Sequence, residues 1–330
     1  MELFRKYWSR YRIMIKWFFN RHRLSTFIRE RIPLIETGQI LTKQGSRFTY
    51  SGIHRLKDAL FHLEAFEKAS KKIYVHEMND AWFQNFLSFL SQRNIKRNTV
   101  HGTINQIKTN LRRACRTYKI PYMVEEFTYS PEVTTQVYNT IAELKALAAL
   151  KLKGVQRDTR DAYVIQSFTG LRRSDLVMLL QDINQYTVEQ DGKKYFRIRT
   201  QKTDKVVVIP IANTVMEILE SRDWKIKTYS IQSYNKNIKK IAKKAGLAQN
   251  IEVFFTRNAK KIREIHPKYA LMSSHTARRS FATNAFLAGI PTLKIRQITG
   301  HSTEAIFLVY IRADGMDSAS TIVNDPFFLT

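Results

Sequence analysis

Residues 274–283 read SHTARRSFAT, and this run decides how the rest of the chain is interpreted. It holds a histidine and an arginine with two residues between them, His275 and Arg278. Thr299-Gly300-His301 places a second histidine 23 residues after Arg278, and Tyr310 follows nine residues later. Each pattern alone is weak evidence, because short strings of this kind also occur by chance.

Two upstream stretches complete the set. Residues 168–176 read FTGLRRSDL at a turn that enters a predicted helix, and residues 201–203 read QKT at a predicted turn between strands. In this order and spacing, the four stretches resemble those of the tyrosine site-specific recombinases, the phage-integrase family. The resemblance covers residues 50–312. It implies a mainly α fold with a small antiparallel β-sheet, in which a helical SAM-like core-binding domain and a mixed α/β catalytic domain form a C-shaped clamp on DNA.

The resemblance also assigns roles to individual residues. The implied catalytic set is Arg172, Lys202, His275, Arg278, His301 and the nucleophile Tyr310, with Asp175 as a supporting residue. Arg312 stands where many relatives carry a histidine two residues after the tyrosine, and this departure changes none of the catalytic assignments.

These residue types suit the chemistry of a phosphodiester. Attack on phosphorus builds charge on the non-bridging oxygens, and guanidinium groups can hold those oxygens in bidentate hydrogen bonds. Arg172 and Arg278 would therefore clamp the phosphate and stabilise the transition state, and His301 would add a further hydrogen bond.

A tyrosine hydroxyl is a poor nucleophile at neutral pH unless its proton is removed or its anion is stabilised. His275, or the surrounding arginine field, is the candidate for this task, and Lys202 is the candidate general acid for the departing 5′-oxygen. The product would be a 3′-phosphotyrosyl link with a free 5′-hydroxyl. Because that link keeps the bond energy, we expect no ATP, metal or other cofactor. The sequence has neither a Walker loop nor an H-E-x-x-H motif.

Taken one at a time, the same residues have simpler explanations. Arg172 and Lys202 could be ordinary phosphate contacts, and the two histidines could be structural. Tyr310 follows Ile306, Leu308 and Val309, so its periodicity alone predicts a core position. The joint spacing outweighs these explanations because chance would have to satisfy all six positions together.

Regular structure of the catalytic domain, residues 140–312, begins where Thr140 and Glu143 form a capping-box pattern. We expect helices throughout except near residues 186–211, where residues 196–200 and 206–211 read as strands. Asp191-Gly192 is a hairpin signal in the same region. The preceding residues, 122–139, lack periodicity and are predicted to be an interdomain linker.

Residues 49–121 are predicted to be a helical DNA-binding domain, because apolar residues recur there at steps of three and four. The third helix, for which Thr99 is a candidate cap, has a face of cations without carboxylate partners, which phosphates would supply. The candidate DNA-binding residues are Lys108, Arg112, Arg113, Arg116 and Lys119 of that face, with Arg173 and Arg279 from the catalytic domain.

The two ends of the chain are less informative. Residues 1–48 are basic and aromatic at their start; a helix there could contact DNA, lie on a membrane, or pack on the rest of the protein. The tail, residues 313–330, ends with Phe327, Phe328 and Leu329, which need burial. In the family this end commonly docks on a neighbouring protomer, and packing on the chain's own surface is the alternative.

Composition agrees with a nucleic-acid partner. Among 330 residues, 55 Lys and Arg against 28 Asp and Glu give a formal net charge of +27, and a globular protein of this charge commonly binds a polyanion. Cys115 is the single cysteine, which excludes an intramolecular disulfide and favours a reducing cytosol. We expect no transmembrane helix and no membrane partner, and a cytoplasmic, nucleoid-associated location.

The expected partner is double-stranded DNA, bound by a homo-tetramer on two recombination sites, with accessory DNA-bending or directionality proteins as further candidates. Such an enzyme would serve DNA integration or another rearrangement, for example in a mobile genetic element. Two alternatives stay open at this point: a type IB topoisomerase-like enzyme that religates its own strand, and a catalytically silent DNA-binding regulator on the same fold.

Overall fold

Apolar periodicity and helix caps account for most of the architecture. The computed structural model describes residues 22–70, 73–300 and 303–308, together with Ile311 and Val323. The chain divides into two compact units. Unit 1 comprises residues 1–134 and 254–263, and unit 2 comprises residues 135–253 and 264–330.

The larger segment of unit 1 is built from helices. They are α1 (Leu24–Glu36), α2 (Tyr50–Ala69), α3 (Asp80–Gln92) and α4 (Arg97–Tyr118), with a 3₁₀ turn at Val75–Glu77. The Thr49 side chain caps α2 by accepting a hydrogen bond from the backbone N–H of Gly52 at 3.2 Å. The predicted apolar stripes face inward, since Leu56, Phe83 and Ile107 are all buried in one core.

Two features of unit 1 differ from the sequence-based expectation. The predicted domain starts at residue 49, yet α1 buries Leu24, Phe27 and Ile28 in the same core. The described part of the N-terminal segment therefore packs on its own unit. The basic helix α4 starts at Arg97, so Thr99 lies inside it rather than at its cap.

The segment 122–139, predicted to be a linker, contains no helix or strand, but it is packed rather than free. Val124 and Phe127 are buried in the core of unit 1. The carboxylate of Asp80 accepts hydrogen bonds from the backbone N–H groups of Glu126 and Phe127 at 3.1 Å each. Asn139, at the other end of the segment, is fully buried in unit 2.

Unit 2 combines helices with a three-stranded sheet. Its helices are α5 (Ile141–Ala149), α6 (Gly154–Thr169), α7 (Arg173–Gln181), α8 (Asn213–Glu220), α9 (Ile231–Lys244), α10 (Lys268–Leu271), α11 (Ser274–Leu287), α12 (Thr292–Thr299) and α13 (Glu304–Leu308). The predicted capping box is present at the start of α5, where the Thr140 and Glu143 side chains each accept from the other's backbone N–H.

The sheet has the order β1-β2-β3 and is antiparallel, with β1 at Thr187–Gln190, β2 at Lys193–Arg199 and β3 at Val206–Pro210. Asp191 and Gly192 join β1 to β2 with positive φ angles of 52° and 68°, which suit the twist of a tight hairpin. Phe196 and Ile198 of β2 pair with Ile209 and Val207 of β3, and all four side chains are buried. The sequence predicted this sheet.

A second antiparallel hairpin was not predicted. Strand β4 spans Asn250–Arg257 and strand β5 spans Lys260–Pro267. Its tip, residues 254–263, groups with unit 1. There the carboxylate of Glu132 accepts a hydrogen bond from the backbone N–H of Thr256 at 2.9 Å, and the ammonium of Lys96 lies 4.2 Å from the centre of the Phe255 ring.

The predicted fold class is confirmed: the structure is mostly helical, with small antiparallel sheets. In the part of the chain that the structure describes, no helix combines the length and the apolar character needed to cross a bilayer. The basic residues before His22 and the apolar residues Phe327–Leu329 lie outside the described residues.

Candidate active site

The turn between α6 and α7 presents the first predicted arginine. Gly170 ends α6 in the left-handed conformation, with φ of 65°. A Cβ atom at this position would lie 2.9 Å from Cγ of Phe281, closer than carbon atoms approach one another. Only glycine fits both the conformation and the contact. Two residues later, Arg172 occupies the N-cap position of α7.

Side chains from two helices hold this turn in place. Gln166 donates from Nε2 to the carbonyl oxygen of Leu171 at 2.9 Å, and the hydroxyl of Tyr234 donates to Oε1 of Gln166 at 2.9 Å. Nη1 of Arg172 is buried and has no hydrogen-bond partner among the described residues. Because a buried N–H group without a partner is costly, this nitrogen is prepared to receive an acceptor such as a phosphate oxygen.

Arg278 ties three parts of unit 2 together. Its side chain is buried on α11 and donates from Nη1 to the carbonyl oxygen of Gly170 at 2.6 Å. Nη2 donates to the carbonyl oxygen of Thr299, at the end of α12. These bonds bring the H-x-x-R helix against the turn that carries Arg172.

Gly300 brings the fourth stretch to the same place. It ends α12 in the left-handed conformation, with φ of 67°. A Cβ atom built on it would lie 3.4 Å from Oγ1 of Thr203 and 3.9 Å from Nη1 of Arg172. The Thr-Gly that precedes His301 therefore lies beside both Arg172 and the turn that carries Lys202.

Asp175 connects the first helical turn of α7 to the β2–β3 turn. Its side chain is buried, and Oδ1 accepts a hydrogen bond from the backbone N–H of Gln201 at 2.9 Å. The next residue is Lys202, whose side chain is exposed. A buried carboxylate thus fixes the backbone directly before the predicted general acid.

His275 lies in the first turn of α11, where Asn235 accepts a hydrogen bond from the backbone N–H of Ser274 at 3.0 Å. Part of its side chain reaches solvent, but the surrounding protein desolvates the ring, and this desolvation lowers the pKa of His275. The second cause is positive charge, which comes from Arg279, Arg278, Lys202 and Arg172 in decreasing order. Both effects favour the neutral imidazole.

The structure thus brings together Arg172, Asp175, Lys202, His275 and Arg278. His301, Tyr310 and Arg312 lie outside the described residues, so their positions stay predictions. Among the residues that the structure does describe, no three His, Cys, Asp or Glu side chains come close enough to hold a metal ion.

The predicted DNA-binding residues of α4 differ in how freely they are presented. Lys108 is half-buried, and its ammonium donates to the carbonyl oxygen of Phe127. Desolvation and the nearby charge of Arg112 lower the pKa of Lys108. Arg113 is also half-buried, whereas Arg116 is exposed.

The freer cations of α4 border a shallow recess. Arg112 is exposed, with its guanidinium carbon 4.9 Å from the centre of the Tyr122 ring. The recess has a volume of about 520 Å³, and Arg112, Arg116 and Lys119 are among the residues that line it. Three cations beside an aromatic ring suit a polyanionic ligand.

The two candidate DNA contacts of unit 2 are engaged within their own unit. Arg173 donates from Nη2 to the carbonyl oxygen of Tyr229 at 2.8 Å, and its guanidinium carbon lies 4.5 Å from the centre of the Tyr234 ring. Arg279 donates from Nη1 to the carbonyl oxygen of Val137 at 3.4 Å. Their contact with DNA stays a prediction.

The sequence analysis missed the residues that support the backbone of the site through hydrogen bonds. Gln166 supports the arginine turn and Asn235 supports the start of α11. Gln166 acts on a residue five positions further along the chain, and Asn235 acts on one that is 39 positions away. Neither belongs to a recognisable motif, so a single sequence carries no signal for them. Thr203 stands next to Lys202, and that adjacency could have drawn attention to it.

Comparison with known proteins follows the same division of the chain. Residues 38–126 match the family model described as a phage integrase SAM-like domain. Residues 141–315, more than half of the chain, match the model described as the phage integrase family. No curated protein matches the sequence.

Solved structures share the fold at low identity. The XerH site-specific recombinase bound to a palindromic difH substrate is 15% identical, with a TM-score of 0.64 over 91% of this chain and 94% of that chain. The Tn1549 transposon integrase with circular intermediate DNA is 16% identical, with a TM-score of 0.62 over 91% and 99%. A lambda integrase dimer on a COC′ core site is 14% identical, with a TM-score of 0.58 over 88% and 95%.

Proposed function

The chain belongs to the phage integrase family of tyrosine recombinases, enzymes that cleave and rejoin DNA in site-specific recombination, and we propose that it does so through a 3′-phosphotyrosyl intermediate. In this proposal Tyr310 is the nucleophile, and strands are exchanged between two DNA sites. The observation that carries the proposal is geometric: Arg278 donates to the carbonyl oxygen of Gly170, in the turn that carries Arg172, and Gly300 lies beside both that arginine and the turn that carries Lys202.

The two arginines would bind the scissile phosphate. Nη1 of Arg172 is buried without a partner among the described residues, and a non-bridging phosphate oxygen would satisfy it. Arg278 is held by two backbone carbonyls, so its guanidinium would be in place before DNA arrives. Such preorganised donors stabilise the charge that develops in the transition state. His301 would add a donor to the same oxygens.

Two proton transfers would accompany cleavage. The phenolic oxygen of Tyr310 attacks phosphorus, the bond from phosphorus to the 5′-oxygen breaks, and the tyrosine proton passes to His275. A lowered pKa supports this role, because the neutral imidazole is the form that accepts a proton. Lys202 gives a proton to the departing 5′-oxygen. A 5′-hydroxyl from the partner strand then attacks the phosphotyrosine and releases Tyr310.

The bond energy of the phosphodiester is kept in the phosphotyrosyl link, so the scheme uses neither ATP nor a metal ion. Asp175 would serve as a positioning residue, since it accepts a hydrogen bond from the residue before Lys202. Because recombination joins two duplexes, the proposed assembly is a homo-tetramer on two sites. The cations of α4 support double-stranded DNA as the partner, as do the DNA-bound structures of the similar recombinases.

A suicide substrate tests the chemistry. Random-sequence duplexes are first selected on the protein for binding, and the recovered site is then made with a nick beside each candidate phosphate. The nick lets the short 5′-hydroxyl strand diffuse away and traps the covalent protein–DNA adduct. We expect an adduct at the 3′-phosphate with the unmodified protein and none with Tyr310→Phe.

The same material separates the alternatives. Exchange of labelled strands between two duplexes supports recombination, whereas relaxation of supercoiled plasmids that lack the selected site indicates a topoisomerase-like enzyme. Tight binding without any adduct would identify a silent regulator and overturn the proposal. The mass of the complex on two duplexes tests the tetramer.

A further inference from the structure

We propose that the hydroxyl of Thr203, through its hydrogen bond to Thr200, positions Lys202 for proton transfer to the leaving 5′-oxygen. The inference deepens the proposed function and rests on it, because it requires Lys202 to be the general acid. It concerns residues 200–205, the β2–β3 turn, which lies beside Arg172 and Gly300.

Thr200 is the fixed point of this turn. It is buried, and its backbone N–H donates to the carbonyl oxygen of Lys205 at 2.9 Å. Its hydroxyl donates to the same carbonyl at 3.1 Å and accepts from the backbone N–H of Lys205 at 3.3 Å. The two ends of the turn are therefore joined at a single buried side chain.

Thr203 connects the middle of the turn to that fixed point. Its Oγ1 lies 2.8 Å from Oγ1 of Thr200. Either hydroxyl can donate in this pair, and while that of Thr200 donates to the carbonyl oxygen of Lys205, the Thr203 hydroxyl is the donor. The contact fixes the residue directly after Lys202, while Asp175 fixes the residue directly before it.

Lys202 itself is exposed and has four rotatable side-chain bonds, so its backbone is the part that the protein can hold in place. General acid catalysis contributes about 10²–10⁴-fold only when the acid lies within hydrogen-bond reach of the receiving atom. A turn held on both sides of Lys202 keeps the ammonium within that reach. Loss of the Thr203 hydroxyl should therefore weaken proton transfer and leave the phosphate clamp intact.

The test uses two nicked substrates of the selected sequence, one ordinary and one with sulfur in place of the bridging 5′-oxygen at the cleaved phosphate. A thiolate leaves without protonation, because the pKa of a thiol is about 8.5, far below that of an alcohol. We expect Thr203→Val to cleave the ordinary substrate about tenfold or more slowly in a single turnover, and to cleave the sulfur substrate at the unmodified protein's rate. Lys202→Ala should show the same pattern with a larger loss.

Three further variants make the test specific. Thr203→Ser keeps the hydroxyl and should keep the rate on ordinary DNA. Thr187→Val removes a hydroxyl on β1 that donates to the carbonyl oxygen of Ile183 at 2.7 Å, and it should change neither rate. Arg172→Ala should be slow on both substrates, because sulfur does not replace a phosphate donor.

The inference fails if Thr203→Val cleaves ordinary DNA normally, or if it stays slow on the sulfur substrate, as loss of a direct phosphate contact would make it. Either result leaves the proposed function standing, provided that the unmodified protein forms its adduct through Tyr310. Absence of that adduct on both substrates would instead overturn the proposed function and the inference with it.

Discussion

The cations of α4 and those around His275 are held in different ways. On α4, Arg112 and Arg116 are exposed and line an open recess. In unit 2, Arg278 is buried and donates to two backbone carbonyls, and one buried nitrogen of Arg172 has no partner among the described residues. One region leaves its cations exposed to solvent, and the other buries or ties them.

Because of this difference, we expect the cations of α4 to contribute to DNA affinity and those around His275 to contribute to the rate of cleavage. Exposed, solvated cations neutralise phosphates of the DNA backbone, and they add to binding mainly by releasing counterions. Cations held in place bind a phosphate in the ground state no more tightly than exposed cations do, but they need no reorganisation when charge develops in the transition state. Substitutions in the two regions should therefore change different measurements.

The largest expected effect is on the cleavage rate of Arg172→Ala. Loss of one preorganised donor typically lowers the rate about 10²–10³-fold, whereas loss of one phosphate contact among many changes affinity little. We expect this variant to form the adduct at least about 10²-fold more slowly at saturating DNA, as measured in single turnovers.

Arg197→Ala provides the matched control for this loss, because Arg197 is an exposed arginine on β2 of the same unit. It should form the adduct at the unmodified rate. An Arg172→Ala variant that bound DNA poorly but cleaved normally once saturated would erase the distinction between the two regions.

The fixed cations depend on close packing, which Gly170→Ala would break. Alanine at this position would have to adopt a positive φ, and its Cβ would press against the Phe281 ring. Gly246→Ala is the matched control, since Gly246 follows α9 with φ of 75° and has open space around it. Both should lose about 1–2 kcal/mol of unfolding free energy from backbone strain, and Gly170→Ala about 1–3 kcal/mol more from overpacking.

Denaturant midpoints measure this difference. Equal losses in the two variants would mean that the Phe281 ring moves aside, and the turn that carries Arg172 would then be less tightly packed than the structure indicates.

Local sequence patterns predicted what depends on near neighbours. Steps of three and four placed the buried faces of α2 and α4, Asp191-Gly192 predicted its hairpin, and the capping box placed the start of α5. The family resemblance implied that Arg172, Lys202 and His275 belong to one site, and the structure brings them together. Their catalytic roles stay predictions.

What the sequence did not predict either lacks a local signal or depends on distant partners. The β4–β5 hairpin turns at Asn258-Ala259 rather than at an Asn-Gly pair, and few of its side chains are buried. The packing of residues 122–139 depends on contacts such as that of Asp80, more than 40 residues away. Asn235 reaches Ser274 across 39 residues. No local period signals such pairs.

The exposed cations of α4 should contribute to the salt dependence of binding. For the double variant Arg112→Gln/Arg116→Gln, loss of two phosphate contacts should reduce the slope of log affinity against log salt by about 1.8, at about 0.9 per contact. The cleavage rate at saturating DNA should stay the same. A lower saturated rate, with the slope unchanged, would assign α4 to catalysis instead of binding.

The smallest expected effect is a shift in the pH dependence of cleavage, which tests the charges around His275 without disrupting the packing of the site. If neutral His275 accepts the tyrosine proton, cleavage is lost as pH falls through its pKa, which desolvation and nearby cations hold below the ordinary value of about 6.5. Arg279 is the first of those cations, so Arg279→Gln should raise the pKa of His275 and move the loss of activity to higher pH, by less than about one unit.

Lys225→Gln removes an exposed charge that does not act on His275 and should leave the profile in place. A shift to lower pH in Arg279→Gln, or equal shifts in both variants, would show that the acid limb belongs to another group, and the cations would then act on the phosphate alone.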